Sequence, residues 1–476
     1  MRELLGRRDF RRLAIGQTVS ALGDWMGTVA LMVLVLDLSG SSTAVAGVLV
    51  LRLLPSAVAA PIATHALTLW GRRQIMLGAD LIRAGIVVLL PLLPMLGWVY
   101  VWAFAIEVAG LAFLPARDAS VPAVAGVGRT EDRPGDDPSS ARAAVSTEGD
   151  APNGGNGRDG SVARRLELAN GVMLGTSYAT IPLGAGFFGL IVLATNALGL
   201  SDYWRYVAVF WIDAITYVIS YFAIRGLVDL GRQESERMPA KKSGGVIDAL
   251  RIPLVRVVLP AACTVMLGLG SLFSLGVVYV RGVLGALPFQ FGVLVALFGV
   301  GAFFGLIALR IGPDRSLLTQ LRFGILVQGS VIALMSVFAT LPLAFAGAVL
   351  FGAAATATLV GGLTLVQESV AGAERDLALT AFHVVIRFSL AMSALLSGAA
   401  ADLLRPVEVT GLGTVEPAQV VLLASGILVI VGVAFVKRPT ERRREVRCQS
   451  PLSSTAPRPS PLRPRWSGAS RSYRWR

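Results

Sequence analysis

Long apolar blocks, each nearly free of charged residues, recur along this chain and restrict its possible folds more than any other feature. An α-helix needs roughly 20 apolar residues to cross the hydrocarbon core of a bilayer, which is about 30 Å thick. We count about twelve blocks of that length, in which the apolar residues are continuous rather than confined to one helix face. The sequence therefore predicts an all-α membrane protein with twelve transmembrane helices.

The predicted spans form two groups of six, separated by a polar segment. Six plus six spans indicate two repeated halves around a central site. We expect an N-terminal six-helix bundle within 1–225, a cytoplasmic linker at 226–252 and a C-terminal six-helix bundle within 253–438. The expected spans, whose ends can shift by a few residues, are 13–36, 43–67, 74–93, 97–115, 168–196, 205–224, 257–280, 289–309, 320–340, 343–368, 377–401 and 418–436.

The composition supports a membrane protein and argues against several other classes. Hydrophobic residues make up 54% of the 476 and charged residues 15%, whereas soluble domains carry about 25% charged residues. Two cysteines cannot build a disulfide framework. No phosphate-binding glycine loop, zinc-type Cys/His cluster or nucleophile elbow occurs, so we expect neither a cofactor nor enzyme activity. The first apolar block is too long for a cleaved signal peptide and is expected to remain as an anchor.

The distribution of Lys and Arg predicts the orientation of the chain. If the N-terminus is cytoplasmic, nearly all of the 43 basic residues fall in cytoplasmic segments. The opposite loops hold only Arg205, Arg281 and Arg405. By the positive-inside rule both termini are then cytoplasmic, in a multi-pass protein of the plasma membrane. The net charge of +13 follows mostly from this topology, so we do not expect nucleic-acid binding.

Two polar segments cannot build an apolar core. Residues 127–165 are rich in Gly, Pro, Ser and charge, which predicts a disordered cytoplasmic insertion in the N-terminal bundle. This insertion is either merely tolerated or regulatory. The basic tail 439–476 is also expected to be disordered, and it is either solvated or lies on anionic lipid.

Several ionisable residues fall inside predicted spans, where each needs a partner, a wet cavity or a function. In the first span, polar residues recur at spacings of three and four, which places them on one helix face. A carboxyl in low-dielectric surroundings, or a histidine, can load and release a proton near neutral pH. We therefore expect a central cavity for substrate and protons, lined from both halves by Asp24, Arg52, Glu107, Asp213, His383 and Arg387. The alternative is internal pairing that positions helices, such as Asp24 or Glu107 with Arg52.

Two short segments are candidates for conformational change. The turn Gly71-Arg72-Arg73, within "ALTLWGRRQIM", lies between the second and third spans and is a candidate gating loop. The segment "IPLGAGFFG" places Pro182, Gly184 and Gly186 in the fifth span. It is either a hinge for alternating access or a kinked helix whose small residues allow close packing.

These residues together give the chain a resemblance to the major facilitator superfamily. It looks most like the bacterial drug:proton antiporter branch that includes macrolide-efflux proteins and siderophore exporters. The similar stretches, which include Arg52, Asp80 and Arg83, are "RRDFRRLAIGQTVSALGDW", "VLRLLPSAVAAPIA", "GRRQIMLGADLIRAG", "LPARDASVPAV", "LELANGV" and "IDAITYVISYFAIR". The resemblance implies two six-helix bundles that rock about a midplane site, with a proton gradient as the usual energy source. By position and resemblance, Asp24 is the first candidate for the proton carrier.

The chain departs from the family pattern in its loops. The family has an Asp-Arg pair before the basic turn, whereas Thr68 and Leu69 stand here. In the family that Asp is thought to steady one closed state across the bundle interface. Ile181 precedes Pro182 where the family has glycine, and the turn before the eleventh span reads Glu374-Arg375-Asp376. We expect a less biased equilibrium between inward and outward states rather than an inactive protein.

Three functions remain open at this stage. The first is proton-coupled export of amphipathic small molecules or drugs. The second is export of a defined metabolite, such as a siderophore or a lipid. The third is a transport-inactive relative that acts as a membrane scaffold or sensor. The expected partners are the lipid bilayer, a small-molecule substrate and protons, and we expect a monomer.

Overall fold

The computed structural model of the protein describes residues 2–57, 65–67, 69–126, 155–227, 253–311, 317–369, 372–409 and 413–436. The described residues all belong to one compact unit. Residues 228–252 of the predicted linker 226–252, the tail 439–476 and Thr68 lie outside the described residues.

Eight helices of the first half are described, and six of them contribute buried apolar residues to one core. Gly40, at φ +63°, ends the second helix and turns the chain into the third. The fourth helix continues as a 3-10 turn over Leu90–Leu92. The bounds are α1 Arg2–Gly6, α2 Arg8–Ser39, α3 Ser42–Ala57, α4 Arg72–Leu89, α5 Leu96–Gly110, α6 Phe113–Val124, α7 Gly155–Ala197 and α8 Asp202–Arg225.

Six helices of the second half are described, with one short hairpin between the last two. The first of them continues as a π-helical turn over Tyr279–Val283, and the last ends in a 3-10 turn. The bounds are α9 Pro253–Val278, α10 Pro288–Ile311, α11 Leu317–Val337, α12 Leu341–Ser369, α13 Gly372–Leu403, β1 Val407–Val409, β2 Gly413–Val415 and α14 Pro417–Gly432.

The helical membrane architecture predicted from the sequence is confirmed. In the described part of the chain, 10 helices are long and apolar enough to span a membrane. Two shorter apolar helices, Ser42–Leu53 and Pro417–Gly432, lie where the second and twelfth spans were predicted. The number twelve and the orientation of the termini stay predictions.

The structure differs from the sequence-based boundaries at three places. The predicted span 97–115 is interrupted after Gly110, because Pro115 cannot donate a backbone hydrogen bond to the preceding turn. The helix α7 begins at Gly155, inside the segment predicted as a disordered insertion, while 127–154 lie outside the described residues. The antiparallel pair β1–β2, with Glu408 opposite Thr414, was not predicted.

The two halves pack against each other through small residues. A Cβ added to Gly292 of α10 would lie 2.7 Å from the carbonyl oxygen of Ala185 in α7. A Cβ on Gly398 of α13 would lie 2.7 Å from the carbonyl oxygen of Ser42 in α3. Glycine at these positions therefore allows the backbones to approach closely, as in other membrane helix pairs. One continuous apolar core includes residues from both halves.

Candidate functional site

A cluster of charged side chains lies inside the N-terminal half, between five helices. Four of the sequence-predicted residues meet here, one from each of α2, α3, α5 and α8. They line one small cavity together with apolar side chains and one tyrosine. The polar lining residues are Asp24, Arg52, Glu107, Asp213 and Tyr217.

The cluster contains one ion pair and one network through a hydroxyl. Arg52 Nε donates to Glu107 Oε1 at 2.6 Å, and about a fifth to a quarter of these two side chains remains exposed (20% and 25%). Arg52 also donates to the hydroxyl of Thr28. That hydroxyl donates in turn to the carbonyl oxygen of Asp24 at 2.5 Å. The guanidinium therefore joins α2, α3 and α5, and its carboxylate partner is Glu107.

Two aspartates of the cluster have no such cationic hydrogen-bond partner in the described structure. The hydroxyl of Tyr217 donates to Asp24 Oδ1. Asp213 is only 4% exposed, and the Thr216 hydroxyl, which donates to the backbone carbonyl oxygen of Asp213 at 2.7 Å, lies 3.3 Å from its Oδ1. On the other side, a Cβ on Gly27 would lie 2.8 Å from Asp213 Oδ2, so glycine makes the room that this carboxyl occupies.

The cavity is too small for an organic substrate in this conformation. Its volume is about 10 Å³, and a cavity of roughly 10–15 Å³ by this measure holds a single water molecule. The cluster can therefore hold water and exchange protons as it stands. Binding of a larger solute requires the helices to separate.

A second buried acid and a second arginine extend the cluster along α4. Asp80 is 0% exposed. The guanidinium of Arg83 lies 5.3 Å from the ring centroid of Phe113 and 5.6 Å from that of Tyr217. Gly110 leaves space for it, since a Cβ there would overlap the guanidinium. Asp80 and Arg83 carried the family resemblance, but the sequence did not indicate their place beside this cluster.

Tyr217 is the site residue that sequence reasoning missed although a signal was present. It follows Thr216 and lies four residues after Asp213, which is one helical turn. Asp213 and Thr216 therefore lie on the same face of α8 as Tyr217. A tyrosine in an apolar span gives no separate hydropathy signal.

The predicted contribution of the C-terminal half to this cluster does not appear in the described structure. Arg387 is exposed, and the side chain of His383 lies outside the described residues. Every buried charged side chain that the structure describes belongs to the first half: Asp80, Arg117, Arg205 and Asp213.

The second half instead has a buried cluster of hydroxyls. Ser271 Oγ lies 2.7 Å from Ser397 Oγ and 2.8 Å from Ser425 Oγ, which joins α9, α13 and α14. Ser393 donates to the carbonyl oxygen of Leu267 at 2.6 Å. These neutral groups satisfy one another, so the charged cluster and the serine cluster have different chemistry.

The arginines of the predicted gating loop bind backbone carbonyl groups of helices in their own half. Gly71 is the N-cap of α4, and its N–H donates to Gln74 Oε1 at 3.2 Å. Arg72 donates to the carbonyl oxygen of Ala119 at 2.9 Å, and Arg73 to that of Arg225 at 2.5 Å. Arg225 is the last residue of α8, where a cation is favoured by unpaired carbonyls and the helix dipole. These hydrogen bonds stabilise helix packing within the first half.

The predicted hinge lies in an unbroken helix and makes tight contacts. A Cβ on Gly184 would lie 2.6 Å from the carbonyl oxygen of Leu22 in α2. Pro182 packs on α10, where a Cβ on Gly299 would lie 2.5 Å from its ring. Gly186 is less confined, since the nearest atom to an added Cβ is Ala296 Cβ at 3.9 Å. Packing explains Gly184, and the hinge stays a prediction.

Gly184→Ala is expected to lower thermal stability, because an overpacked methyl group costs about 1–3 kcal/mol. Gly186→Ala is the matched control in the same helix and should be nearly neutral. Thermal unfolding of the purified protein in detergent measures both. If these glycines served mainly as a flexible hinge for transport, both variants would keep their stability and lose transport to a similar degree. That result would contradict the packing explanation.

Polar contacts also join the two halves at one end of the helices. Asp37 of α2 forms an ion pair with Arg281 and accepts a hydrogen bond from Tyr206. Asp402, near the end of α13, accepts hydrogen bonds from the start of α3 (residues 41–43). We call these five elements, Asp37, Tyr206, Arg281, Asp402 and 41–43, the end clamp.

The architecture is shared with solved structures of transporters. A nucleoside transporter, NupG, superposes with a TM-score of 0.65 at 10% identity, covering 90% of this chain and 99% of that chain. A bacterial homologue of the human lysosomal transporter Spinster, inward-facing and unoccupied, gives 0.63 at 15% identity, covering 90% and 96%. A bacterial homologue of the iron transporter ferroportin, inward-facing, gives 0.57 at 13% identity, covering 90% and 99%.

These likenesses define the class of fold. The chain has the helical architecture of a multi-pass membrane protein and shares its fold with these solved transporters. No protein-family model matches the sequence, and no curated protein sequence matches it significantly. At these identities the likeness shows the fold alone.

Proposed function

We propose that this protein is a secondary-active transporter that exports amphipathic small molecules, including drugs, in exchange for protons. In this proposal it crosses the plasma membrane twelve times, both termini are cytoplasmic, and its two halves alternate between inward and outward states. It belongs, we infer, to the drug:proton antiporter branch that its sequence resembles. No cofactor is involved, because the proton gradient supplies the energy.

The observation that carries this proposal is the charged cluster within a transporter fold. An intramembrane ionisable residue is expensive to insert and is by default a functional candidate. Arginine stays protonated in proteins, so a change of charge here must come from the acids. Glu107 already has a cationic partner in Arg52. Asp24 and Asp213 can gain or lose a proton without breaking that ion pair.

Asp24 is the better proton carrier of these two aspartates. It is partly exposed, whereas Asp213 is 4% exposed. Its hydrogen-bond partner, the Tyr217 hydroxyl, is neutral and can accept from a protonated carboxyl as well as donate to a carboxylate. Proton binding therefore requires only a rearrangement of hydrogen bonds. Asp24 lies on α2 and Tyr217 on α8, so that rearrangement would change a contact between these two helices.

The end clamp supports alternating access. In the proposed orientation it lies at the outer ends of the helices, so we infer that this conformation is closed to the outside. Export then requires the clamp to open while the opposite ends of the halves approach. A substrate site would form between the halves during that movement, since the cavity seen here has room for only about one water molecule.

A second candidate is export of a defined metabolite, such as a siderophore or a lipid. The solved structures with the same fold support this candidate, because they include a nucleoside transporter, an iron-transporter homologue and a peptide-bound transporter. One fold thus accommodates very different solutes. A transport-inactive scaffold is the remaining alternative, and the departure at Thr68 motivates it.

Asp24→Asn is expected to reduce proton-driven dye movement by at least about tenfold, since it removes the proposed proton carrier. The test uses the full-length protein in proteoliposomes with an imposed pH gradient and the amphipathic dye Hoechst 33342 as the probe. Glu408→Gln is the matched control, because it makes the same chemical change on the exposed hairpin. It should move the dye at the wild-type rate.

Other outcomes separate the three functions. If the wild type moves no amphipathic dye but moves one metabolite from a screen in cells that lack other exporters, the metabolite proposal replaces this one. If no solute moves and Asp24→Asn has no effect on drug resistance in cells, the scaffold is favoured.

A further inference from the structure

Asp80 is the most unusual buried group outside the cavity. Its side chain is 0% exposed, and neither carboxyl oxygen has a hydrogen-bond partner in the described structure. Ser220 lies beside it, but no hydrogen bond of ordinary geometry joins them, and the Ser220 hydroxyl is equally unpartnered. An ionised carboxylate in such a place costs several kcal/mol or more.

No ion pair among the described residues includes this carboxyl, although the positive charge of Arg83 acts on it through space. Arg83 lies three residues further along α4, but its guanidinium lies against the rings of Phe113 and Tyr217. No described ion pair joins Arg83 to Asp80. The other charged group that interacts with Asp80 through space is Asp24 of α2, which has the same sign. From α8 the neighbour is Ser220, which does not titrate.

A row of polar groups leads from Asp80 to the cavity. Asp213, Thr216 and Ser220 lie at spacings of three and four on α8, so they share one face and cover about 10 Å of helix. All three are buried. Glycines of α2 pack against this row, since an added Cβ on Gly16 would lie 3.4 Å from Ser220 Oγ. This face therefore holds hydroxyls rather than apolar side chains.

We propose that Asp80 is a second proton-binding residue, protonated in this conformation, which exchanges its proton with Asp213 through Ser220 and Thr216. The step is a proton transfer alone. Once hydrogen bonds form along the row, the carboxyl O–H of Asp80 gives its proton to the Ser220 hydroxyl oxygen, Ser220 gives its own proton to Thr216 Oγ1, and Thr216 gives its own proton to the carboxylate of Asp213. Asp80 is reloaded from the side where α4 begins. This inference rests on the proposed proton-coupled transport.

The protonation of Asp80 can be tested without any transport. Infrared difference spectroscopy on the full-length protein at neutral pH should show a carbonyl band of a protonated carboxyl that disappears in Asp80→Asn. The same band must persist in Glu408→Gln. Asp80→Asn should also fold with a melting temperature close to the wild type, because the amide resembles the neutral acid. An unchanged band in Asp80→Asn would overturn the proposal.

A bound cation is the competing explanation, and the same protein tests it. Sodium at the carboxylate would raise the melting temperature of the wild type but not of Asp80→Asn, and the protonated band would appear only after sodium is removed. That pair of results would also overturn the proposal. We expect instead no difference between sodium and choline buffers.

The relay is tested by proton uptake into proteoliposomes that contain a pH-sensitive dye. Asp80→Asn and Ser220→Ala are expected to slow coupled proton movement at least about tenfold, and Ser220→Ala should keep the Asp80 band. Wild-type rates in both variants would exclude the relay while leaving the proposed transport intact. If the wild type moves solute with no proton movement, the proposed function fails instead, whatever the band shows.

Discussion

Replacing Arg52 by leucine is expected to destabilise the protein by about 3 kcal/mol, because it leaves Glu107 without its counter-charge inside the membrane. Removing one partner of a buried ion pair usually costs about 3–5 kcal/mol. We take the lower end of that range, since both side chains remain partly exposed to the cavity (20% and 25%). The substitution also removes the donor to Thr28, which ties α2 to α3. Thermal unfolding in detergent, with a single purified state checked by size exclusion, measures the loss.

The double variant Arg52→Leu/Glu107→Leu distinguishes the loss of the ion pair from the cost of leaving one charge unpaired. Replacing both partners of a buried ion pair by apolar residues is often neutral or stabilising. We therefore expect the double variant to recover most of the stability that Arg52→Leu loses. A double variant as unstable as Arg52→Leu would show that the loss comes from removing the ion pair itself and not from the charge left on Glu107. A wild-type melting temperature for Arg52→Leu would show that Glu107 is already neutral.

The sequence could predict the helices because hydropathy is a local property. Each apolar run reports its own length, and the helices of this fold lie close to the predicted spans. The polar stripe of the first span was visible for the same reason, since Ser20, Asp24 and Thr28 repeat with the helical period. The break after Gly110 and the hairpin at Val407–Val409 arise from a proline and from pairing between short segments, which a hydropathy window averages away.

The partners of the polar residues could not be predicted in the same way. From the sequence, Arg52 could pair with Asp24 or with Glu107, and the structure joins it to Glu107 at 2.6 Å. That choice depends on how α3 and α5 are rotated against each other, which small-residue contacts elsewhere determine. The position of the Arg83 guanidinium, against Phe113 and Tyr217 in the space left by Gly110, likewise depends on how α4 packs against its neighbours. The local sequence carries no information about these relative orientations of the helices.

The basic turn shows why a motif can mislead about mechanism. Gly71, Arg72 and Arg73 match half of a gating signature, but the described hydrogen bonds of both arginines are with helix carbonyl groups in their own half. The position of the missing acid, Thr68, lies outside the described residues. An acid does join the halves through a helix start, but it is Asp402, at the opposite ends of the helices. Asp402 could not be recognised from the sequence because it lies just before a loop, where an acidic residue is ordinary.

Asp402→Ala is expected to shift the protein toward the state in which the end clamp is open. Asp402 accepts hydrogen bonds from Ser41 Oγ at 2.5 Å and from the N–H groups of Ser42 and Thr43 at 2.9 Å. It thus caps α3 from the other half of the protein, beside a helix N-terminus that favours negative charge. Losing such a cap costs about 0.5–2 kcal/mol. A loss of one to two kcal/mol changes the ratio of the two states about 5- to 30-fold.

Distances between spin labels report this shift directly. With Cys263 and Cys448 replaced by alanine, labels at Leu198 and Leu287, which are 75% and 54% exposed in loops of the two halves, follow the separation of the clamped ends. Asp402→Ala should add or enlarge a population with a longer distance. Asp402→Asn should have a smaller effect, because the amide oxygen still accepts hydrogen bonds while the charge is lost. Glu408→Gln, an exposed carboxylate at the same end, should leave the distances unchanged. If Asp402→Ala gives the wild-type distances at every pH, then this carboxylate does not hold the halves together, and Asp37 with Arg281 must do so alone.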